Sequence, residues 1–366
     1  MAQFQLNNIN YTFKMLYVIA IIMIVDGHIG SIDYLDLHHL LKYQNYHIAL
    51  FCFTSGYFLN LTKSPKDYVI SKLKRLIIPL YIWNFIYGLI CLLLNKYFDF
   101  SIGENFNLYN LLYAPLVDGH QFIYNMASWF LVPLFLLQVI SYLILKPFNI
   151  NKIKTTSLIF FFSILTLSTT ILPFCLEHQG KRDIMLLIYR TFYFFPSFAL
   201  GFLYRHLLEK YDTLNTPSYL FITLSLYTII YTLFPNINHT PSWLNDIYIS
   251  PLAIYSLSFL AILFWLRVAK VFSPLVKKSQ TLTTISNHTF DIMMHHFIGF
   301  MFIKSIFSLL FADFNHYQFR HNIWYNYFPI SENLTQWAII VITIVITLLI
   351  GFTTRRFYDI LKKVIK

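Results

Sequence analysis

The sequence predicts an all-α, polytopic membrane protein of about ten transmembrane helices, and three observations carry that prediction. The 366 residues are 57% hydrophobic and only 12% charged, where a soluble domain runs about 45–50% apolar and about 25% charged. The aromatic load of 38 Phe, 27 Tyr and 6 Trp is more apolar surface than a globule of this size can hide from water. The apolar residues also fall in runs near the roughly 17–25 that a helix needs to cross a hydrocarbon core. Runs such as Trp337 to Ile350 are apolar all round rather than alternating, which favours helices over barrel strands. A conventional cytosolic enzyme is excluded. The formal charge of +11 would suggest nucleic acid in a soluble protein; here it is read as membrane topology, and no nucleic-acid partner is expected.

Ten segments approach spanning length: 13–31, 46–62, 76–95, 127–145, 156–176, 186–205, 217–234, 248–266, 284–311 and 333–354. The first is expected to be retained, because no Lys or Arg precedes it and it ends in Asp26-Gly27-His28 instead of a small-residue cleavage site. The ninth is long enough to be tilted, kinked or partly interfacial. With the amino terminus taken as cytoplasmic, most of the 27 basic residues share that side: Lys14, the cluster from Lys63 to Arg75, Lys146 to Lys154, Arg205 and Lys210, Arg267 to Lys278, and Arg355 to Lys366. Both termini are therefore expected in the cytoplasm. Asp33, Asp36, Asp99, Glu104, Asp118, Glu177, Asp183, Asp246, Asp313 and Glu332 fall on the outer side. With no internal repeat, low-complexity segment or soluble stretch long enough to fold alone, residues 1–366 read as one integral domain. Cys52, Cys91 and Cys175 sit singly in apolar runs, so neither a disulfide framework nor a metal site is expected.

The outer stretches 32–45, 96–126, 177–185, 235–247 and 312–332 are rich in Tyr, Asn, His and Trp. Such a surface suits sugar binding by stacking and hydrogen bonding, and equally an interfacial aromatic belt. Ionisable groups at membrane depth are more informative, since each needs a partner, a cavity or a function. His28 closes the first span; at about 100° per residue it points away from Asp26. A neutral imidazole there can take a proton from a hydroxyl, or simply tie helices together. Asp291 and His295, four apart, share a helix face beside His288 and His296. Arg190, near the outer end of the sixth span, offers a permanent charge to an anion or a polarised carbonyl. Lys72-Leu73-Lys74-Arg75 precedes Leu76-Ile77-Ile78-Pro79 at the cytoplasmic side, where it suits donor phosphates and also satisfies topology alone.

These motifs together resemble the acyltransferase 3 family of bacterial membrane O-acyltransferases. The first span ending in Gly27-His28, the stretch Tyr46-His47-Ile48-Ala49-Leu50-Phe51-Cys52-Phe53-Thr54-Ser55-Gly56-Tyr57, and Lys72-x-x-Arg75 before Pro79 carry the likeness. Trp129-Phe130-Leu131, Gly201 and Thr289 to His296 extend it. Tyr17 stands where the family usually has a basic residue, and Lys14, one turn earlier, is the expected substitute. The resemblance implies transfer of an acyl group, most commonly acetyl and in some relatives succinyl, from cytoplasmic acetyl-CoA or another acyl-CoA to a sugar hydroxyl. The acceptor implied is a surface polysaccharide or lipid-linked glycan beyond the bacterial inner membrane. It also implies His28 as a catalytic residue and Lys72 with Arg75 as the donor site, which Lys14 is expected to join; His28 is then expected to act as general base or to help form a transient acyl intermediate, with Arg190 or His296 stabilising oxyanion charge. A polysaccharide transporter or flippase would share the intramembrane His, Asp and Arg. A polymerase would be expected to show arginines in its large outer loop, and Lys96 to Asn125 contains none.

Overall fold

The computed structural model describes residues 9–29, 37, 40–98, 104–148, 152–178, 181–234, 237, 242, 250–310 and 333–364. Among them every regular element is helical. Asp33, Asp36, Asp99, Asp246, Asp313 and Glu332, with most of the predicted outer stretches that contain them, lie outside the described residues.

Helix α1 (Tyr11–Asp26) starts where the side chain of Asn10 accepts the Phe13 N–H at 3.3 Å, satisfying one of the orphan donors of a first turn. Helix α2 (His47–Tyr57) follows a 3-10 turn over Tyr43–Asn45. Helix α3 (Pro65–Lys72) opens on a reciprocal cap: Ser64 Oγ accepts from Asp67 N at 3.1 Å and donates to the Asp67 carboxylate at 2.6 Å, with Pro65 preset for the first turn. A π turn over Leu73–Ile77 then leads into α4 (Ile78–Phe98). The proline at 79 lacks the N–H that a regular turn would give to the Arg75 carbonyl, so the register slips by one residue there.

The chain continues through a π turn (Tyr109–Tyr113), the short α5 (Ala114–Val117), and a 3-10 segment (Ile123–Phe130) running into α6 (Leu131–Leu145). Then come α7 (Ile153–Ile171), α8 (Ile184–Leu203), α9 (Thr216–Leu233), α10 (Pro251–Lys278), α11 (Gln280–Asn287), α12 (Thr289–Leu310) and α13 (Asn333–Val364). Seven helical stretches among the described residues are long and apolar enough to cross a bilayer, so the protein is an all-helical, multi-pass membrane protein.

The other expected spans take different forms. The second, expected over 46–62, is a helix of 11 residues, about 16 Å long and near half a hydrocarbon core. The first is helical for 16 residues and then turns tightly through Ile29. The ninth, expected over 284–311, is broken at His288 into α11 and α12. The eighth runs twelve residues past its expected end. Arg267, which should have stopped it, donates to the Asp212 carboxylate and to Leu214 O at 2.9 Å and lies over the Tyr219 ring, so its charge is neutralised inside the bundle.

Helix α8 is the central post. Of its most apolar stretch 89% is buried within the protein, against 11% for α9. Helix α9 instead turns Phe221, Ile222, Leu226, Ile229 and Leu233 outward, as α4 does with Ile82, Phe85, Leu89 and Leu93. Such continuous apolar faces belong against lipid. Between lipid-facing helices, apolar burial gives no net drive to associate, so close packing must. Helix α2 meets α8 backbone to backbone: a Cβ built at Gly56 would stand 1.9 Å from Phe198 O, and one at Gly201 1.9 Å from Phe53 O. Alanine at either position must force the helices apart. We expect G56A and G201A each to destabilise the protein by about 1–3 kcal/mol or more, read as a lowered thermal midpoint in detergent; midpoints equal to wild type would mean that the crossing tolerates a Cβ.

Candidate active site

Two imidazoles meet at the end of α1. Gly27 caps the helix in a right-handed conformation, and His28 N and Ile29 N bond back to Val25 O and Asp26 O at 3.2 and 2.9 Å. The tightened turn leaves the His28 ring stacked on His296 of α12, centroids 5.1 Å apart, and against Phe297 at 4.8 Å. Asp26 takes no part: its carboxylate accepts the Tyr43 hydroxyl, in keeping with the divergence expected two residues apart.

The tautomer of His296 follows from its surroundings. Its Nδ1 lies 2.7 Å from Met293 O and 3.3 Å from Ile292 O. Carbonyls only accept, so Nδ1 carries the proton and Nε2 carries the lone pair. That nitrogen is fully buried and has no partner among the described residues. In this form Nε2 accepts a hydrogen bond and has no proton to give an oxyanion, so the charge-stabilising role expected of His296 would need a second proton on the ring.

The remaining residues of α11 and α12 pair differently from their spacing. Asp291 binds His288 Nδ1 at 2.8 Å and the Arg355 guanidinium, whereas His295 binds Tyr87 Oη at 2.5 Å and lies edge-on to Trp83. The Asp291–His295 pair suggested by the four-residue interval is not made. No group of three His, Cys, Asp or Glu suited to a metal occurs among the described residues.

A partly open cavity of about 530 Å³ lies on the side carrying the basic residues. Lys72 from the end of α3, Arg75 from the π turn and Arg355 from α13 line it, with Ser55, Gln138 and Asn287 among its polar groups. Lys14 stands at its edge, its Nζ donating to Asn287 Oδ1 at 3.2 Å. Tyr17 lines the wall itself. At the inner end are Ile24 and Met293, four residues before His28 and three before His296. Along each chain the step from cavity wall to imidazole is about one helical turn, near 5–6 Å.

Arg190 serves another structure. It is 1% exposed, donates through Nη1 to Val117 O and Asp118 O at 3.3 and 2.8 Å and through Nε to Ser242 O at 2.9 Å, and packs over the Trp129 ring. Its donors are committed to backbone carbonyls, so the oxyanion role expected of it finds no opening in this geometry. What it holds is a turn carrying a second Asp-Gly-His. Here Gly119 has φ +74°, a conformation a Cβ disfavours, and that Cβ would also strike the Trp129 backbone at 2.5 Å. The left-handed turn brings Asp118 Oδ1 to His120 Nδ1 at 3.0 Å, with Arg182 3.4 Å from the other oxygen. Burial alone would raise the Asp118 carboxyl, but the bond from His120 and the charges of His120, Arg182 and Arg190 bring it below the usual carboxylate range. Burial lowers His120, with Arg190 adding to the effect against the opposing pull of Asp118. The carboxylate is thus favoured in its ionised form, and the imidazole beside it is made harder to protonate. The recurrence of Asp-Gly-His in the sequence was the available pointer to it; Arg355 had none beyond its place in a basic cluster.

With this geometry in view, comparison with known proteins is direct. An acyltransferase domain of the acyltransferase 3 type matches residues 11–356, which defines a membrane acyltransferase. The chain belongs to that family, which leaves neither a carrier nor a polymerase to be argued. No curated protein and no solved structure matches it.

The role of Arg190 has a measurable consequence. Lysine in its place reaches only part of the carbonyl set and leaves buried acceptors unmatched. R190K is expected to lower stability by about 1.5–3 kcal/mol, read as a reduced thermal midpoint in detergent; an unchanged midpoint would free Arg190 for another role.

Proposed function

We propose that this acyltransferase resides in the bacterial inner membrane and moves an acyl group, acetyl in the first instance, from cytoplasmic acyl-CoA to a sugar hydroxyl of a surface polysaccharide or lipid-linked glycan. The observation carrying this reading is the cavity whose mouth holds Lys72, Arg75 and Arg355 and whose inner wall lies one turn from His28 and His296. Coenzyme A is a polyanion with an extended thiol-bearing arm. Cations at the mouth suit its phosphates, and the apolar residues Ile24, Leu131, Leu134 and Met293 suit the arm and thioester deeper in. Lys14, held at the rim by Asn287, supplies charge near Tyr17, where relatives have a basic residue.

In this mechanism the acceptor hydroxyl approaches the imidazole pair from the side opposite the basic mouth. His28 takes the hydroxyl proton as general base. The oxygen attacks the acyl carbon, the new C–O bond forms as the C–S bond breaks, and the coenzyme A sulfur leaves as thiolate and regains a proton from the imidazolium. His296, with its lone pair on Nε2, accepts a hydrogen bond from another hydroxyl of the acceptor and orients it, while its ring stacks on that of His28. Exclusion of water by Phe297 and Phe300 around these rings favours transfer to the sugar over hydrolysis of the thioester. The positive-inside bias supports cytoplasmic termini and, with them, donor and acceptor ends on opposite faces.

Two tests separate the parts of this reading. H28A and H296A should each cut glycan acylation by about 10²-fold or more at unchanged membrane insertion, measured as transfer of labelled acetyl from acetyl-CoA to glycan; normal acylation by H28A removes it from the mechanism. K72Q and R75Q should raise the apparent KM for acetyl-CoA and leave that for the acceptor unchanged, and an unaltered donor dependence returns the pair to topology alone.

A further inference from the structure

Arg355 approaches the cavity from α13, while Lys72 and Arg75 enter from the junction of α3 and α4. Its Nη2 donates to Asp291 Oδ2, at the start of α12. The same oxygen lies 2.8 Å from His288 Nδ1. Asp291 is 8% exposed, whereas the Arg355 side chain is 53% exposed, so the carboxylate is fixed inside the protein and the guanidinium stands at the wet edge. Their contact depends on Gly351: a Cβ there would lie 2.8–2.9 Å from the Asp291 side chain. Phe352, on the next residue, packs edge-on to His288 at 4.7 Å. Every charged side chain lining the cavity is a cation, and Asp291 lies just behind the wall.

We propose that Arg355 is a third phosphate-holding residue of the donor site, and that Asp291 keeps it in place until the phosphates of the incoming donor take over its guanidinium; this rests on the donor-site reading above. The exchange is favourable on both sides. A phosphate offers the planar guanidinium more acceptor oxygens and more charge than one carboxylate oxygen does. Asp291, once released, still has the His288 bond, so no bare carboxylate is left in a low-dielectric wall. Without the donor, Arg355 is neutralised, and the mouth avoids three unpaired cations facing one another. Phosphate is thereby clamped from two helical walls, and α12, which also carries His296, has its first turn joined to the donor end.

The two partners then act with opposite sign on donor affinity. The full-length protein, purified in detergent, is titrated calorimetrically with coenzyme A. R355Q should weaken binding by about tenfold or more, and D291N should tighten it by freeing the guanidinium. Combining the two is decisive: D291N in the R355Q background should leave affinity unchanged, because the coupling runs through Arg355. Unchanged affinity in R355Q, or equal tightening by D291N with and without Arg355, overturns the proposal. Arg355 is half exposed, so R355Q and R355K, the latter keeping charge without the fork and expected between wild type and R355Q, carry the test even where D291N lowers folded yield. Failure of the wild-type protein to bind coenzyme A would sink the donor-site reading itself, whereas wild-type binding indifferent to Arg355 sinks this inference only.

Discussion

Where α2 crosses α8, two glycines let the backbones touch, and much of the interior is built on that contact. Gly56 presses on Phe198 and Gly201 on Phe53, a reciprocal fit available only to residues without side chains. In water, burial of the flanking Phe and Tyr side chains would itself drive the helices together. In lipid it supplies little, since hydrocarbon solvates those rings as well as protein does, and the crossing must be won by proximity. The contact has a functional result. It seats the short α2 against the central post, and the opposite face of α2 presents Phe51 and Ser55 to the cavity.

The polar interior follows a second constraint. Charge in a low-dielectric bundle persists only when matched, and the cations that enter this bundle are matched in different currencies. Arg190 is neutralised by backbone carbonyls and an indole face, Arg267 by Asp212, Arg355 by Asp291. Lys72 and Arg75 instead border open volume. That contrast separates Arg190 and Arg267, which build the protein, from the cations left to meet an anion, and Arg355 belongs to both groups, paired with Asp291 yet lining the same volume. Two neighbouring imidazoles of α12 show the same distinction: His295 is closed off by Tyr87, whereas His296 Nε2, beside His28, has no partner among the described residues.

The two Asp-Gly-His tripeptides are an internal comparison. In the first, Gly27 continues the right-handed turn, Asp26 reaches Tyr43, and His28 swings to His296. In the second, Gly119 takes a positive φ and Asp118 closes on His120. Identical residues yield a separated pair in one place and a joined pair in the other. The backbone at glycine decides, and its conformation is set by what surrounds it: Met23 O and the Tyr43 ring in the first case, the Trp129 backbone in the second.

The solvent for this chain was legible from composition, because 57% hydrophobic residues with 12% charged admit no aqueous fold, and long all-apolar runs in lipid admit only helices. The family was legible too, since Gly27-His28, Ser55-Gly56-Tyr57 and Lys72-x-x-Arg75 are local words whose meaning survives without coordinates. Lengths and partnerships were not. Hydropathy cannot distinguish the 11-residue α2 from a full span, because flanking apolar residues read alike in either geometry. Spacing along α12 suggested Asp291 with His295, yet Asp291 turned to His288 and to an arginine 64 residues away. Side-chain pairing in a bundle is settled by which helices come within reach, and that depends on contacts between segments far apart in the chain. So the residue types of the site were fixed locally, while the orientation of His296, the structural duty of Arg190 and the place of Arg355 at the cavity were decided by tertiary packing alone.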